Sequence, residues 1–376
     1  MMNGLKLKDL YDQFRNPKII KSLAALIEKE SIKFKTPLRI MEVCGGHTHT
    51  IMKYGLMQIL PDNIEFIHGP GCPVCIMPKE RIDHAIALAN IEDAILCTLG
   101  DMIRVPGSKS TLAKERAKGR DIRPLYSPMD VLKIAKENPD KKIIFFAIGF
   151  ETTTPMTAAV IDHVFKKHIN NIYFHINHVL VPPAVKAIMD PGKAKINAFI
   201  GPSHVSVITG SKIYEPLAQT YQTPIVVSGF EPVDVMEGIW MMARQKNEGR
   251  SEVEIEYKRS VTRDGNLKAQ AMINHYMEPR GHFRWRGIGD IPLSALKLKD
   301  EYAMIDAEKV FADVLSNAPI DDHTLCICGT ILQGLAKPKD CNVFGKACTP
   351  NNPLGSCMVS DEGACNAYYR YGEIDG

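Results

Sequence analysis

The sequence predicts an α/β protein: two similar parallel-sheet domains around a cleft, followed by a cysteine-rich C-terminal domain. Three observations carry this. Apolar runs of five to eight residues, each closed by Gly or Pro and followed by a helical period, recur between residues 38 and 231. Such runs mark parallel strands buried on both faces. The runs form two sets with a faint echo, since Gly149-Phe150-Glu151 and Gly229-Phe230-Glu231 both close one, as does Gly-Pro at 69–70 and 201–202. Finally, six of the ten cysteines lie in the last 51 residues, where Gly, Pro and Asn displace the helical pattern.

Taken in order, residues 1–35 are an N-terminal helical segment, with amphipathic periodicity over 5–33 broken near Pro17. A first α/β domain is expected over 36–130, with strands in 38–46, 64–71 and 94–100. A second, over 131–250, takes strands from 142–151, 171–178, 197–204 and 224–231. The charge-rich stretch 244–268 reads as a domain edge with a solvated strand at 253–261. The C-terminal domain covers 251–376; from about residue 320 it has little aliphatic surface, so a metal centre or crosslinks would stabilise it.

Composition narrows the function. Apolar residues make up 45% and charged residues 24%, ordinary for a globular chain with a real core. Lys+Arg minus Asp+Glu is 46 − 43 = +3, which argues against a general polyanion binder, so no nucleic-acid partner is expected. The longest apolar stretch, around 143–150, falls far short of the ~18 residues of a membrane span, so no membrane partner is expected either. Residues 1–14 lack the apolar core of a secretory signal, and the expected location is cytoplasmic. There, clustered cysteines point to metal binding or thiol chemistry.

Cys44 lies in Glu42-Val43-Cys44-Gly45-Gly46-His47-Thr48-His49-Thr50, between a strand and a helical stretch. The two glycines permit a tight turn, and Thr48 and Thr50 suit helix N-caps. Facing a helix N-terminus, the thiol is expected to have a depressed pKa, as a ligand or nucleophile with His47 and His49 in support. The bland reading is a small buried residue in a turn. Cys72 and Cys75, in Gly69-Pro70-Gly71-Cys72-Pro73-Val74-Cys75, also sit between strand and helix. Their spacing suits a reversible disulfide, half a metal site or a structural turn. Loops at the carboxyl ends of parallel strands gather on one side, so both motifs should face one cleft. Cys97, mid-strand, reads as inert core.

Three other strand-end segments, 149–155, 202–206 and 229–234, offer hydroxyls, carboxylates and His204 for a second cleft wall. Their bland reading is capping and turn chemistry. His175 and His178 read as loop histidines, less readily as a ligand pair. The basic–aromatic run 282–286 is too isolated to make a nucleic-acid protein. The chain has no Gly-x-Gly-x-x-Gly, Walker-type, His-Glu-x-x-His or Gly-x-Ser-x-Gly string, so nucleotide-driven chemistry is not expected.

Cys326, Cys341, Cys348 and Cys365 are separated by fourteen, six and sixteen residues. Four thiolates suit an iron–sulfur cluster, but these gaps match neither ferredoxin pattern, and zinc stays open. If those four bind a cluster, Cys328 and Cys357 remain; a disulfide between them would close about 30 residues and contribute roughly 3–4 kcal/mol. In a reducing compartment such a bond is better suited to redox work than to structure.

Together, the strings at 44–49, 69–75, 149–153, 202–206, 229–232 and 357–365 resemble the HypD family of hydrogenase maturation factors, in order and over nearly the whole chain. The resemblance implies a scaffold for building the Fe(CN)2CO group of [NiFe]-hydrogenases. It implies HypC as the partner that shares iron with Cys44, HypE as the source of cyanide, and the hydrogenase large-subunit precursor as recipient. It also implies a [4Fe–4S] cluster on Cys326, Cys341, Cys348 and Cys365, making the C-terminal domain an iron–sulfur domain. An electron path is then expected from the cluster through Cys328/Cys357 and Cys72/Cys75 to iron at Cys44. The rivals are a stand-alone iron–sulfur thiol-disulfide oxidoreductase and a zinc-stabilised interaction protein.

Overall fold

The computed structural model describes residues 12–316 and 318–372. Helix α1 (Pro17–Ser31) starts where Pro17 breaks the N-terminal periodicity, and the Asn16 side chain caps it by accepting from the Lys18 N–H at 2.9 Å. The part of the helical stretch before residue 12 lies outside the described residues.

Each of the seven apolar runs contains a strand: β1 (Leu38–Glu42), β2 (Ile64–His68), β3 (Ala94–Leu99), β5 (Lys142–Gly149), β6 (Ile172–His178), β7 (Ala198–Pro202) and β8 (Ile225–Ser228). The solvated strand shrinks to β9 (Val253–Ile255), and β4 (Ile122–Leu125), which carries Pro124, has no clear apolar signature. Two all-parallel sheets result, ordered β2-β1-β7-β8-β9 and β4-β3-β5-β6. Pro124 is tolerated because β4 is an edge strand.

This strand order corrects the expected division at residue 130. β3 and β4 precede that cut, yet β3 pairs with β5, Ala94 opposite Lys142. Likewise β1 pairs with β7, Ile40 opposite Ala198, so the first sheet is left and re-entered. The boundary at 251 also moves, because β9 completes the first sheet. Each Gly-Phe-Glu string closes a strand of a different sheet, whereas the Gly-Pro pairs both belong to the first, one just after β2 and one ending β7.

Four helices follow the early strands: α2 (Gly45–Lys53), α3 (Pro73–Ile76), α4 (Lys79–Ala89) and, after β5, α5 (Thr154–Lys166). α6 (Val181–Met189) follows β6, and α7 (Pro232–Glu248) follows β8 and buries Val235, Ile239 and Met242 in one cluster with Leu23 and Ile27 of α1. α8 (Leu267–Tyr276) leads into two short antiparallel pairs. β10 (Met277–Pro279) pairs with β13 (Leu296–Leu298), and β11 (His282–Trp285) with β12 (Gly289–Pro292). The basic–aromatic run is therefore a hairpin strand: Phe283 and Trp285 are buried, while Arg284 and Arg286 pair with Asp321 and Asp322. The tail ends in α9 (Ala364–Tyr371). It shares its core with the sheets, since Ile331, Leu332, Met358 and Val359 pack in one cluster with Val43, Ile148 and Phe199. Among the described residues no helix is long and apolar enough to cross a membrane.

Candidate functional site

The two sheets and the tail enclose a cleft of about 790 Å³. Its wall takes residues from just past β1, β2, β3, β4, β5 and β7, all at carboxyl ends, where parallel sheets place ligand crevices. Cys44 and Cys72 both line it. So do Phe150, Thr152 and Thr153 of the first Gly-Phe-Glu segment and Pro202, His204 and Val205 of the second expected wall segment. The third segment lines a neighbouring groove instead, through Phe230, Glu231 and Asp234.

Cys44 is the residue before α2, with extended backbone (φ −146°, ψ 131°). The two cysteine loops are bound to one another: Gly69 N–H donates to Glu42 O at 2.9 Å and Gly45 N–H to Gly71 O at 3.0 Å. Their glycines serve close approach. A Cβ on Gly71 would lie 2.5 Å from the Cα and N of Cys44, and one on Gly46 would lie 2.6 Å from the Phe230 ring. Because α2 begins at Gly45, Thr48 and Thr50 are inside the helix and are not its caps. Thr48 Oγ1 donates to Glu42 Oε2 at 2.7 Å, and Thr50 Oγ1 to Phe230 O at 2.5 Å.

The expected depression of the Cys44 thiol pKa does not occur. Burial pushes it well up, with the Glu362 carboxylate adding to the rise, and the Gly46 N–H at the helix start offsets only part. Desolvation of the charged form outweighs one turn of helix dipole. His47 is fully buried. Its Nε2 lies 3.0 Å from Gly229 O, its ring stacks on Phe230 at 4.4 Å, and burial holds it neutral by lowering its pKa to about 4. Phe230 also meets His204, at 4.3 Å. His49 meets the Tyr371 ring edge-on at 5.3 Å.

Behind Cys44 the thiols form a row. Cys72 lies close enough to Cys44 to raise its pKa through charge. Cys75 neighbours Cys357 and Cys72 closely enough for each to act on its ionisation, and Cys357 likewise neighbours Cys328 and Cys75. Cys328 in turn meets both Cys326 and Cys365. Two flanking thiols lower the Cys357 pKa, chiefly Cys328, whereas burial drives Cys75 upward. Cys72, Cys75, Cys328 and Cys357 are all buried. Cys97 is buried apart from the row, its pKa pushed up to about 12, as its mid-strand position implied.

The four expected cluster residues are less evenly gathered. Cys326 and Cys365 share Cys328 as a neighbour, and Cys348 lies within the field of Cys328 and Cys326 while its sulfur accepts from Leu354 N–H at 3.4 Å. The Cys341 thiol lies 3.9 Å from the carbonyl oxygen of Leu325, the residue before Cys326. As soft thiolate donors the four fit an iron–sulfur cluster in kind. Among the described residues no group of three or more His, Cys, Asp or Glu side chains is spaced to hold a metal ion.

No sequence motif marks the mouth of the cleft. Asp101 and Arg104 (paired at 3.0 Å), Asp361 and Arg370 (3.0 Å), Glu362 and the fully exposed Tyr126 ring it. Asp101 and Arg104 directly follow β3, so the carboxyl-end rule that located Cys44 also points to them. His175 and His178 lie on β6 and are buried. His175 meets His84 at 3.1 Å and Arg81 at 3.5 Å, and His178 meets Thr157 at 2.8 Å; neither faces the cleft.

A family model described as "Hydrogenase formation hypA family", for HypD, matches residues 18–372. The chain is 50% identical to hydrogenase maturation factor HypD2 of Bradyrhizobium diazoefficiens over 370 residues, covering 96% of this chain and 97% of the relative. It is 49% identical to HypD of Azotobacter vinelandii, covering 96% of each, and 42% identical to HypD of Escherichia coli, covering 96% and 97%. On the strength of these full-length matches, and of a cleft built by the motifs that carry them, the chain belongs to the HypD family of hydrogenase maturation factors.

Proposed function

We propose that the chain is the scaffold on which the Fe(CN)2CO group of [NiFe]-hydrogenases is assembled, with the iron carried as cargo on the Cys44 thiolate. The observation that carries this reading is the placement of Cys44 in the cleft at the end of a thiol row leading into the tail. A thiolate is a soft donor suited to iron bearing CO and cyanide. Among the described residues no three His, Cys, Asp or Glu side chains are grouped to hold a metal ion, so iron held at Cys44 would draw ligands from outside the chain. That fits a shared site with HypC, cyanide arriving from HypE, and release to the hydrogenase large-subunit precursor, in the cytoplasm.

The row supports two-electron exchange. The Cys357 thiolate attacks Cys75 of a Cys72–Cys75 disulfide, forming a Cys75–Cys357 bond and releasing Cys72 as a thiolate. Cys328, giving up its proton, then attacks Cys357, which frees Cys75 and closes a Cys328–Cys357 disulfide. One disulfide is consumed and one formed, so reducing equivalents pass from the tail to the cleft. The lowered pKa of Cys357 suits it to attack first. A [4Fe–4S] cluster on Cys326, Cys341, Cys348 and Cys365 would supply single electrons beside Cys328.

The test is infrared spectroscopy of the complex with HypC. Cys44→Ala should remove the CO and cyanide bands, and Cys72→Ser with Cys75→Ser should abolish assembly while sparing the visible absorbance of the cluster. Bands retained in either variant overturn the corresponding role. The stand-alone oxidoreductase is disfavoured by burial: Cys72 is 3% and Cys75 1% exposed, out of reach of a disulfide on another protein.

A further inference from the structure

We propose that a second cavity, between edge strand β2 and the loop at 334–340, binds a small hydroxyl-bearing oxyanion of the hydrogen phosphate type. It has a volume of about 420 Å³ and shares no lining residue with the cleft. Lys193 and Lys195 enter it from the loop between α6 and β7, and Lys337 from the tail. None of these three lysines forms an ion pair with a described residue. The other charges present are already engaged. Arg39 pairs with Glu65 at 3.0 Å, and Asp340 Oδ2 accepts from Lys337 N–H at 2.7 Å. Three unpaired cations drawn from two separate loops around one hollow give a field suited to an anion.

His68 supplies the second, independent observation. It lines the cavity at 3% exposure, with Nδ1 held 2.6 Å from Glu42 Oε2 and Nε2 buried without a partner. Beside it Tyr368 stands edge-on at 5.0 Å, its own buried hydroxyl unpartnered. A buried polar atom without a partner is costly, so Nε2 is an atom that a ligand group could satisfy. Hydrogen phosphate serves it in either ring form. Its P–OH donates to a bare nitrogen, and its oxygens accept from an N–H. Acetate can do only the second, which is why the hydroxyl-bearing class is favoured.

The test needs neither iron nor a partner protein, so its outcome is separate from the assembly reading above. Isothermal titration calorimetry of the whole chain with sodium phosphate is compared with sodium acetate and sodium chloride at equal ionic strength. Phosphate alone should bind saturably at one site. Lys195→Ala with Lys337→Ala, both at exposed positions, should weaken it about tenfold while leaving the thermal midpoint unchanged. An equal response to chloride, equal binding of acetate, the absence of saturable heat, or an unchanged affinity in the double variant overturns the proposal.

Discussion

Gly71 and Cys44 touch through backbone, and the fit leaves no room for a methyl group. Gly71→Ala would set a Cβ 2.5 Å from the Cys44 Cα and must push the two loops apart. We expect a loss of about 1–3 kcal/mol in urea unfolding and a changed alkylation rate at Cys44, since overpacking shifts backbone. Glu151 makes a different demand. It is 6% exposed, its Oε1 accepts from Val181 N–H at 2.9 Å, and burial raises its pKa to about 7. The folded chain keeps this proton after the unfolded chain has lost it, so the group's contribution to stability falls as pH rises from about 4.5 to 7. Glu151→Gln removes that dependence. Its stability relative to the parent should therefore climb by about 3 kcal/mol across this window in denaturant titrations at stepped pH; a flat difference would refute the assignment. At this scale the strand-to-helix placement of Cys44, Cys72 and Cys75 was legible, because strand, loop and helix follow one another locally. The rise in the Cys44 pKa was not, because it comes first from burial by distant segments and then from Glu362 at the far end of the chain.

α3 and α4 form one unit, with Cys72 before α3 and Pro78 before α4. The unit is clamped by the segment 280–322. The Arg81 guanidinium donates to Asn177 Oδ1 at 2.6 Å, Ile176 O at 2.9 Å and both Glu308 oxygens at 2.6 and 2.8 Å. Glu308 also accepts from Arg280, and Arg286 N–H donates to Ile76 O at 2.7 Å. Arg81→Ala leaves the half-buried Glu308 with one cation fewer, and should cost about 1–3 kcal/mol in chemical denaturation. Arg81→Lys should recover only part of this, since an ammonium cannot match the planar fork. The helical period of α4 was readable, but not that Arg81 and His84 face inward: both side chains are buried by elements about 90 to 230 residues away. Local periodicity cannot report such partners.

The tail completes a core begun elsewhere. Cys357 and Met358 are fully buried, Ser356 Oγ donates to Cys75 O, and Arg104 donates to Val359 O at 3.1 Å. A chain truncated at residue 324 should therefore expose the floor of the cleft, bind a hydrophobic dye and lose sharp thermal unfolding. A cooperative transition with Cys72 and Cys75 still protected from alkylation would contradict the shared core. The expectation that the tail has too little aliphatic surface to fold alone agrees with this packing, and the sheets supply what is missing.

The sequence by itself determined the seven main strands, the all-parallel character that their apolar runs imply, and the strand-end positions of Cys44 and Cys72. These are local properties: a run buried on both faces and a Gly- or Pro-rich exit belong to one stretch of chain. Only the tertiary structure decided which strands share a sheet, since β1 pairs with β7 and β3 with β5 across long crossovers. It alone joined Cys75 to Cys357 and surrounded His68 with unpaired lysines. Strand order and side-chain neighbourhood are set by packing between distant segments, and no window of sequence contains both halves of such a contact.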